Sequence, residues 1–209
     1  MPINHKKHTA MKRLLIAILL TLPLLAAPTQ AQTTEEQHLE FMGIPIDGTL
    51  NAFAQKLQAK GMKIIDRENG SILLSGNFAG YSGCTIGILS DTSGQTIWRA
   101  GVIFTDYDSW SLLSSCYFRL KDMLTQKYGT PYNCVEEFQT YSQPTDDFTK
   151  MHYVKMDQCK YASLFGMPEG YIILDIIANG ITTSNPSVRL MYTDRINEQK
   201  KDRSAMDDL

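Results

Sequence analysis

Ser109-Trp110-Ser111-Leu112-Leu113-Ser114-Ser115-Cys116-Tyr117-Phe118-Arg119-Leu120-Lys121-Asp122-Met123-Leu124-Thr125-Gln126-Lys127-Tyr128 is the stretch that decides the fold. Leu113, Cys116, Leu120, Met123 and Leu124 recur at three- and four-residue spacing, which puts one apolar stripe along a long helix. Asp108 is placed to cap its start, and Gly129-Thr130-Pro131 ends it firmly. A helix of this length in mid-chain divides the sequence in two.

Before it lies a shorter helix and then strands. Asp47-Gly48-Thr49 is a turn and helix start with Thr49 as cap, and Leu50, Phe53, Ala54 and Leu57 repeat at helical spacing up to Gly61. Met62 to Asp66 is a short apolar run, and Glu68-Asn69-Gly70 is a hairpin turn. Ile72, Leu74 and Phe78 alternate with polar or outward positions, as do Cys84, Ile86 and Ile88. Thr96 to Phe104 follows, with Trp98, Ala100, Val102 and Phe104 expected on one face. Gly83, Gly87 and Gly101 point to bulges or to close approach of another element.

After the long helix the order repeats. Tyr132 to Gln139 reads as a strand, then a polar stretch, then a short helix or strand over Phe148, Met151 and Val154. Cys159 to Phe165 and Tyr171 to Ala178 form a hairpin across Met167-Pro168-Glu169-Gly170, and Val188 to Tyr192 is the last strand. Helix-then-strands, twice, with hairpin-length links argues an antiparallel α+β fold rather than βαβ units. The expected organisation is one α+β domain over 41–193, in halves 41–105 and 106–193. Its helices pack on one face of the sheet or sheets. Residues 32–40 read as a flexible segment. Residues 194–209, with nine charges, read as a polar and frayed tail.

The first residues stand apart. Lys6, Lys7, Lys12 and Arg13 precede the apolar run Leu14 to Leu25, which is followed by small residues up to Ala31. This is the pattern of a secretory signal peptide over 1–31, with Met1 or Met11 as its start. The run is short of the ~20 residues a membrane span takes, and Pro23 interrupts it. Removing the leader takes four of the 20 Lys and Arg and none of the 22 Asp and Glu, so a net charge of −2 becomes −6 over 178 residues. An acidic exported chain of this size argues against nucleic-acid partners and anionic lipid surfaces, and places the protein in the periplasm or outside the cell.

Export and an even cysteine count together favour disulfides among Cys84, Cys116, Cys134 and Cys159. Of three connectivities, Cys84–Cys116 and Cys134–Cys159 are expected. The alternative for the first pair is two buried free thiols. Without a Cys-x-x-Cys or a histidine beside a cysteine, no metal is expected, and no cofactor motif is present.

Phe41-Met42-Gly43-Ile44-Pro45-Ile46-Asp47-Gly48, Asn77-Phe78-Ala79-Gly80-Tyr81, Val102-Ile103-Phe104 with Trp110, Lys127-Tyr128-Gly129-Thr130-Pro131 and Cys159-Lys160-Tyr161 together resemble stretches of small exported proteins of Gram-negative gut bacteria. The likeness covers most of residues 41–193. That family carries no assigned activity, so the resemblance implies export and assigns no residue a role. The helix-plus-sheet tandem is also similar in build to beta-lactamase inhibitor proteins and to small outer-membrane assembly lipoproteins, which are protein-binding modules. The second group's lipid-attachment cysteine has no counterpart after the apolar run.

Chemistry is thinly supplied. His5 and His8 fall in the leader and His38 in the segment read as flexible, leaving His152 in the expected fold. A hydrolase would have to use His152 or a carboxylate pair drawn from Glu136-Glu137 or Asp146-Asp147. Adjacent strand residues face opposite ways, and Asp106-x-Asp108 lacks the rest of a calcium loop. Tyr81, Trp98, Tyr107 and Trp110 are the candidate contact residues, because tyrosine and tryptophan are enriched in interface hot spots. The leading expectation is a non-enzymatic exported module that binds a protein or envelope partner; the alternative is the small hydrolase.

Overall fold

A computed structural model describes residues 37–180 and 185–207. The expected signal peptide and its cleavage point lie outside the described residues. The chain opens with a two-stranded ribbon, β1 (Glu40–Phe41) and β2 (Ile44–Pro45), turned across Met42-Gly43, both at positive φ. Helix α1 (Leu50–Ala59) starts at Thr49, whose hydroxyl accepts from the Ala52 amide, and sends Leu50, Phe53, Ala54 and Leu57 into the core. The meander β3 (Lys63–Glu68), β4 (Ser71–Phe78), β5 (Tyr81–Ser90) and β6 (Ile97–Ile103) completes the first half.

Helix α2 (Trp110–Tyr128) begins the second. Its cap is Ser109, one residue beyond the expected Asp108: the Ser109 hydroxyl accepts from the Leu112 amide. Gly129 ends the helix at φ 86°, a conformation that costs most side chains strain. Then come β7 (Asn133–Phe138), α3 (Asp147–Lys155), β8 (Cys159–Met167), β9 (Gly170–Ile177) and β10 (Ser187–Asp194). The strand order is β3-β4-β5-β6-β10-β9-β8-β7, every neighbouring pair antiparallel. Each half gives the large sheet four strands, preceded by α1 in the first and by α2 in the second, where α3 follows β7; the halves join where the last strand of one meets the last strand of the other.

One face of the sheet carries Ile72, Leu74, Cys84, Ile86, Ile88, Ala100, Val102, Val188, Leu190, Ile172, Leu174 and Phe165, all buried. Alternation along each strand sends these apolar side chains toward α1 and α2. Burying each large one is worth ~1.5–3 kcal/mol, so this layer is the main source of stability. The fold is α+β and its sheet antiparallel, as the sequence patterning implies.

Four local expectations need correction. Trp98 does not share a face with Ala100 and Val102. A register shift between Leu89 and Ser90 makes Trp98 the extra residue of a bulge, and Ile97 takes the buried place. Residues 195–207 are not frayed but form helix α4 (Arg195–Asp207). The buried Asp194 caps it by accepting from the Asn197 amide, Asn197 donates to the Ile46 carbonyl, and Lys201 lies over the Trp98 ring at 4.3 Å. The segment 32–40 is not loose throughout. Leu39 is buried with its amide on Asp194 Oδ2, and His38 Nδ1 sits 3.1 Å from the same oxygen, off the line a hydrogen bond needs. His152 is therefore not the one histidine of the fold.

The fourth concerns the cysteines, all four of which are free thiols. Cys134 pairs in register with Ser163 and Cys159 with Phe138. That offset of four residues is ~13 Å along the ladder, far beyond disulfide reach. Cys84 and Cys116 do come near each other, but each sulfur is engaged elsewhere. Cys84 donates to the Tyr81 carbonyl at 3.7 Å, and Cys116 accepts from the Tyr81 and Tyr107 hydroxyls.

Candidate functional site

Among the described residues, the other face of the sheet carries no helix over its middle. Register partners run across it in an unbroken row: Asp66, Leu73, Gly87, Gly101, Met191, Ile173, Leu164 and Asn133, one from each of the eight strands. Six of these eight are apolar or glycine. Leu73 leans over Gly87, and Met191 leans over Gly101. A Cβ at Gly101 would come within 2.9 Å of the Leu190 carbonyl, so glycine is the residue that lets β6 and β10 approach here.

Charged pairs flank this row on both sides. Arg189 forks onto Asp175, with Nε 3.0 Å from Oδ1 and Nη2 2.5 Å from Oδ2. On the other side Arg99 donates to the Thr193 and Tyr171 hydroxyls, and Tyr171 donates to Glu198 of α4. The two flanks leave two hollows. One, of about 570 Å³, lies over Leu73, Leu89, Ile103 and Met191. The other, of about 660 Å³, lies over Leu164, Met167, Tyr171 and Ile173 beside the exposed Tyr132.

The residues singled out in the sequence fall elsewhere. Tyr81 and Tyr107 come together, half-buried on the helix side of the sheet, with their hydroxyls on the Cys116 sulfur. Burial, and then Cys116, push Tyr81 up to about 12 and Tyr107 higher still. Trp110 is buried at the start of α2, 5.0 Å from both Phe138 and Tyr161. Trp98 is half-buried between the Arg99 guanidinium and the Lys201 ammonium, each 4.3 Å from its ring. The four aromatics thus occupy three separate places.

The acid pairs are engaged singly. Asp146 caps α3 through the Thr149 amide. Asp147 accepts from the Trp110 and Ser111 amides and the Ser111 hydroxyl, tying the start of α2 to that of α3. Glu137 pairs across to Lys160, while Glu136 points to the helix side. Asp106 accepts from Ser187. His152 is exposed on α3 with its ring 5.8 Å from that of Tyr153. Among the described residues no three His, Cys, Asp or Glu side chains gather closely enough to hold a metal ion, and no helix is long and apolar enough to cross a membrane.

Reasoning from sequence missed a polar cluster between α2 and the edge of the sheet. Lys121 Nζ lies 2.5 Å from Glu136 Oε1 and 3.2 Å from Cys134 Sγ. The Cys134 thiol reaches Glu136 at 3.4 Å and Ser163 Oγ at 3.5 Å. Tyr117, fully buried, bonds Ser163 Oγ at 2.7 Å and donates to Glu136. Burial pulls the Glu136 carboxyl upward, but hydrogen bonds from Lys121 and Cys134 outweigh it and hold it below the ordinary value. Lys121 is likewise raised by Glu136 and Cys134 against the effect of burial. Cys134 and Glu136 share a strand face, which spacing alone could reveal; Lys121 and Ser163 join them only through the fold.

These features define an α+β protein with a two-half antiparallel sheet, α1 and α2 on one face and an apolar row across the other, with α4 at the margin of that row. No family model, no curated protein and no solved structure matches the chain.

Proposed function

We propose that this chain is an exported, non-enzymatic binding module that docks a protein partner on the open face of its sheet. The observation that carries the reading is the apolar row over the six inner strands, uncovered at its centre among the described residues and flanked by Arg189–Asp175 and Arg99–Tyr171–Glu198. An apolar centre with paired charges at its margin is the anatomy of a protein interface. Two hollows in one surface offer places for anchoring side chains. The leader-like first residues support a partner in the periplasm or outside the cell. No geometry favours the hydrolase reading, since His152 stands apart and each candidate carboxylate is engaged singly.

A photo-crosslinking amino acid in place of Leu73 or Met191, in the producing cell, tests this. It is expected to yield a discrete adduct, absent when the same group replaces the exposed Gln126 of α2. Adding an aspartate at the other of the two positions should abolish it. Equal labelling from both faces, or no adduct from the sheet face, would overturn the proposal.

A further inference from the structure

Cys134 is the one exposed thiol among the four, and it sits in a built surround. An ammonium lies on one side at 3.2 Å and a carboxylate on the other at 3.4 Å. Behind it are Ser163 and Tyr117, both at 0% exposure, with the serine hydroxyl 3.5 Å from the sulfur. Buried polar groups of this kind are positioned by the core and do not drift as surface side chains do. The sulfur lies on β7, the edge strand, so its outer side is open to solvent and to other molecules.

The other three cysteines are placed for inertness. Burial pushes Cys84 and Cys116 up, and burial with the nearby Asp157 charge takes Cys159 up to about 12. A thiol held as a thiol neither attacks nor exchanges. No partner cysteine lies within reach of Cys134, so an attacking sulfur there has no internal disulfide to form.

We propose that Cys134 is a thiol-exchange site that takes up a second thiol from a low-molecular-mass disulfide. The Cys134 proton passes to water, and Lys121, held by Glu136, lies beside the resulting thiolate. The sulfur attacks one sulfur of R–S–S–R; a new S–S bond forms as the old one breaks. The electron pair leaves on R–S⁻, which takes up a proton from water. Net, protein–SH and RSSR become protein–SSR and RSH, with Cys134 oxidised and the departing thiol reduced. Lys121 is a positioning residue here: its charge lies beside the reacting sulfur and forms no bond to it.

The test uses the reduced, purified protein and glutathione disulfide, with each cysteine followed by mass spectrometry. Cys134 is expected to be modified first, roughly tenfold faster in the folded chain than in the same chain in urea. Lys121→Met should slow it about tenfold toward the unfolded rate, and Lys121→Arg, which keeps the charge, should restore most of it. Circular dichroism and a cooperative urea transition certify that each variant is folded. A Cys134 rate equal to that of the unfolded chain, a Lys121→Met variant as fast as the parent, or first modification at another cysteine would each overturn the proposal.

Discussion

The long helix α2 has a thiol on either side of it, and the two have opposite surroundings. Toward the first half, Cys116 is buried, meets the hydroxyls of Tyr81 and Tyr107, and lies near a second thiol, Cys84. Toward the second half, Cys134 is exposed, meets an ammonium and a carboxylate, and is backed by Tyr117 and Ser163. Both settings contain tyrosines, sulfur and a cation, Arg119 lying 5.5 Å over the Tyr81 ring in the first; what differs is the carboxylate and water. Around Cys116 there is little water to solvate an anion, so every acid is driven toward its neutral form. Around Cys134 the acid and base neutralise one another and water reaches both. The comparison teaches that a cysteine's neighbours are not enough to judge it: the dielectric around them decides what the same groups do.

The sharpest way to break this contrast is to alkylate the native protein with N-ethylmaleimide. Cys84 and Cys116 must wait for the fold to open, and opening a core strand or helix costs close to the global stability. With a stability of ~5 kcal/mol or more, their rates should lie on the order of 10³-fold or more below that of Cys134. Rates for Cys116 within about tenfold of Cys134 would mean that the first-half cluster is open to solvent and the contrast false.

Next in size is a pair of hydroxyl deletions. Tyr117→Phe leaves the Ser163 hydroxyl buried without its 2.7 Å partner, which should cost ~1–3 kcal/mol in urea unfolding. Tyr107→Phe removes a donor to a weakly accepting sulfur at a half-buried position, and should cost under ~1 kcal/mol. A larger loss from Tyr107→Phe would reverse the ranking of the two clusters.

How much of this was legible in the chain depends on whether a signal was local. Thr49 and the Leu50-Phe53-Ala54-Leu57 stripe announce α1, and Gly129-Thr130-Pro131 announces the end of α2, because caps and periodicity act within a few residues. The two-half order follows from the same local signs. Pairing of β6 with β10 does not, since Gly101 and Met191 are brought together by the closure of a long loop. Helix α4 escaped because it lacks an apolar stripe; its anchors are Asp194 and Asn197, polar residues whose partners Leu39 and Ile46 lie at the far end of the chain. The Trp98 bulge and the four-residue offset between Cys134 and Cys159 are matters of register, which alternation predicts only where no residue is inserted. The open-face row was present in the sequence as Leu73, Gly87, Gly101 and Met191, but nothing local says that these four are neighbours.

Alkaline pH probes the first-half cluster more gently. Tyr81 has an ordinary value of 10.0 and is held up to about 12 by burial and by Cys116. The folded state keeps this proton longer than the unfolded chain does. Its contribution is therefore complete below pH 10 and is lost as the pH climbs from 10 through 12. Urea midpoints followed upward from pH 9 should fall in that window, and Tyr81→Phe should shallow the fall. The parent and variant losing stability in parallel would place the alkaline sensitivity elsewhere.

The smallest expected effect is on the second-half side, where Lys121→Met should change stability by under ~1 kcal/mol at neutral pH. Lys121 and Glu136 keep about a fifth and a quarter of their side chains exposed, so water takes over much of what each loses when the pair is broken. The acid limb shows the pair more clearly. Glu136 is lowered from its ordinary 4.5, so its contribution is present above that value and lost as the pH falls through the lower folded one. Without Lys121 a hydrogen bond and a favourable charge are gone, while the effect of burial remains and raises the carboxyl. The variant should then lose less stability than the parent between pH 4.5 and 3, measured by urea midpoints. An identical acid limb in both proteins would mean that the ion pair does not persist in solution. Its two members would then be independent surface charges, and the second-half cluster would differ from the first by exposure alone.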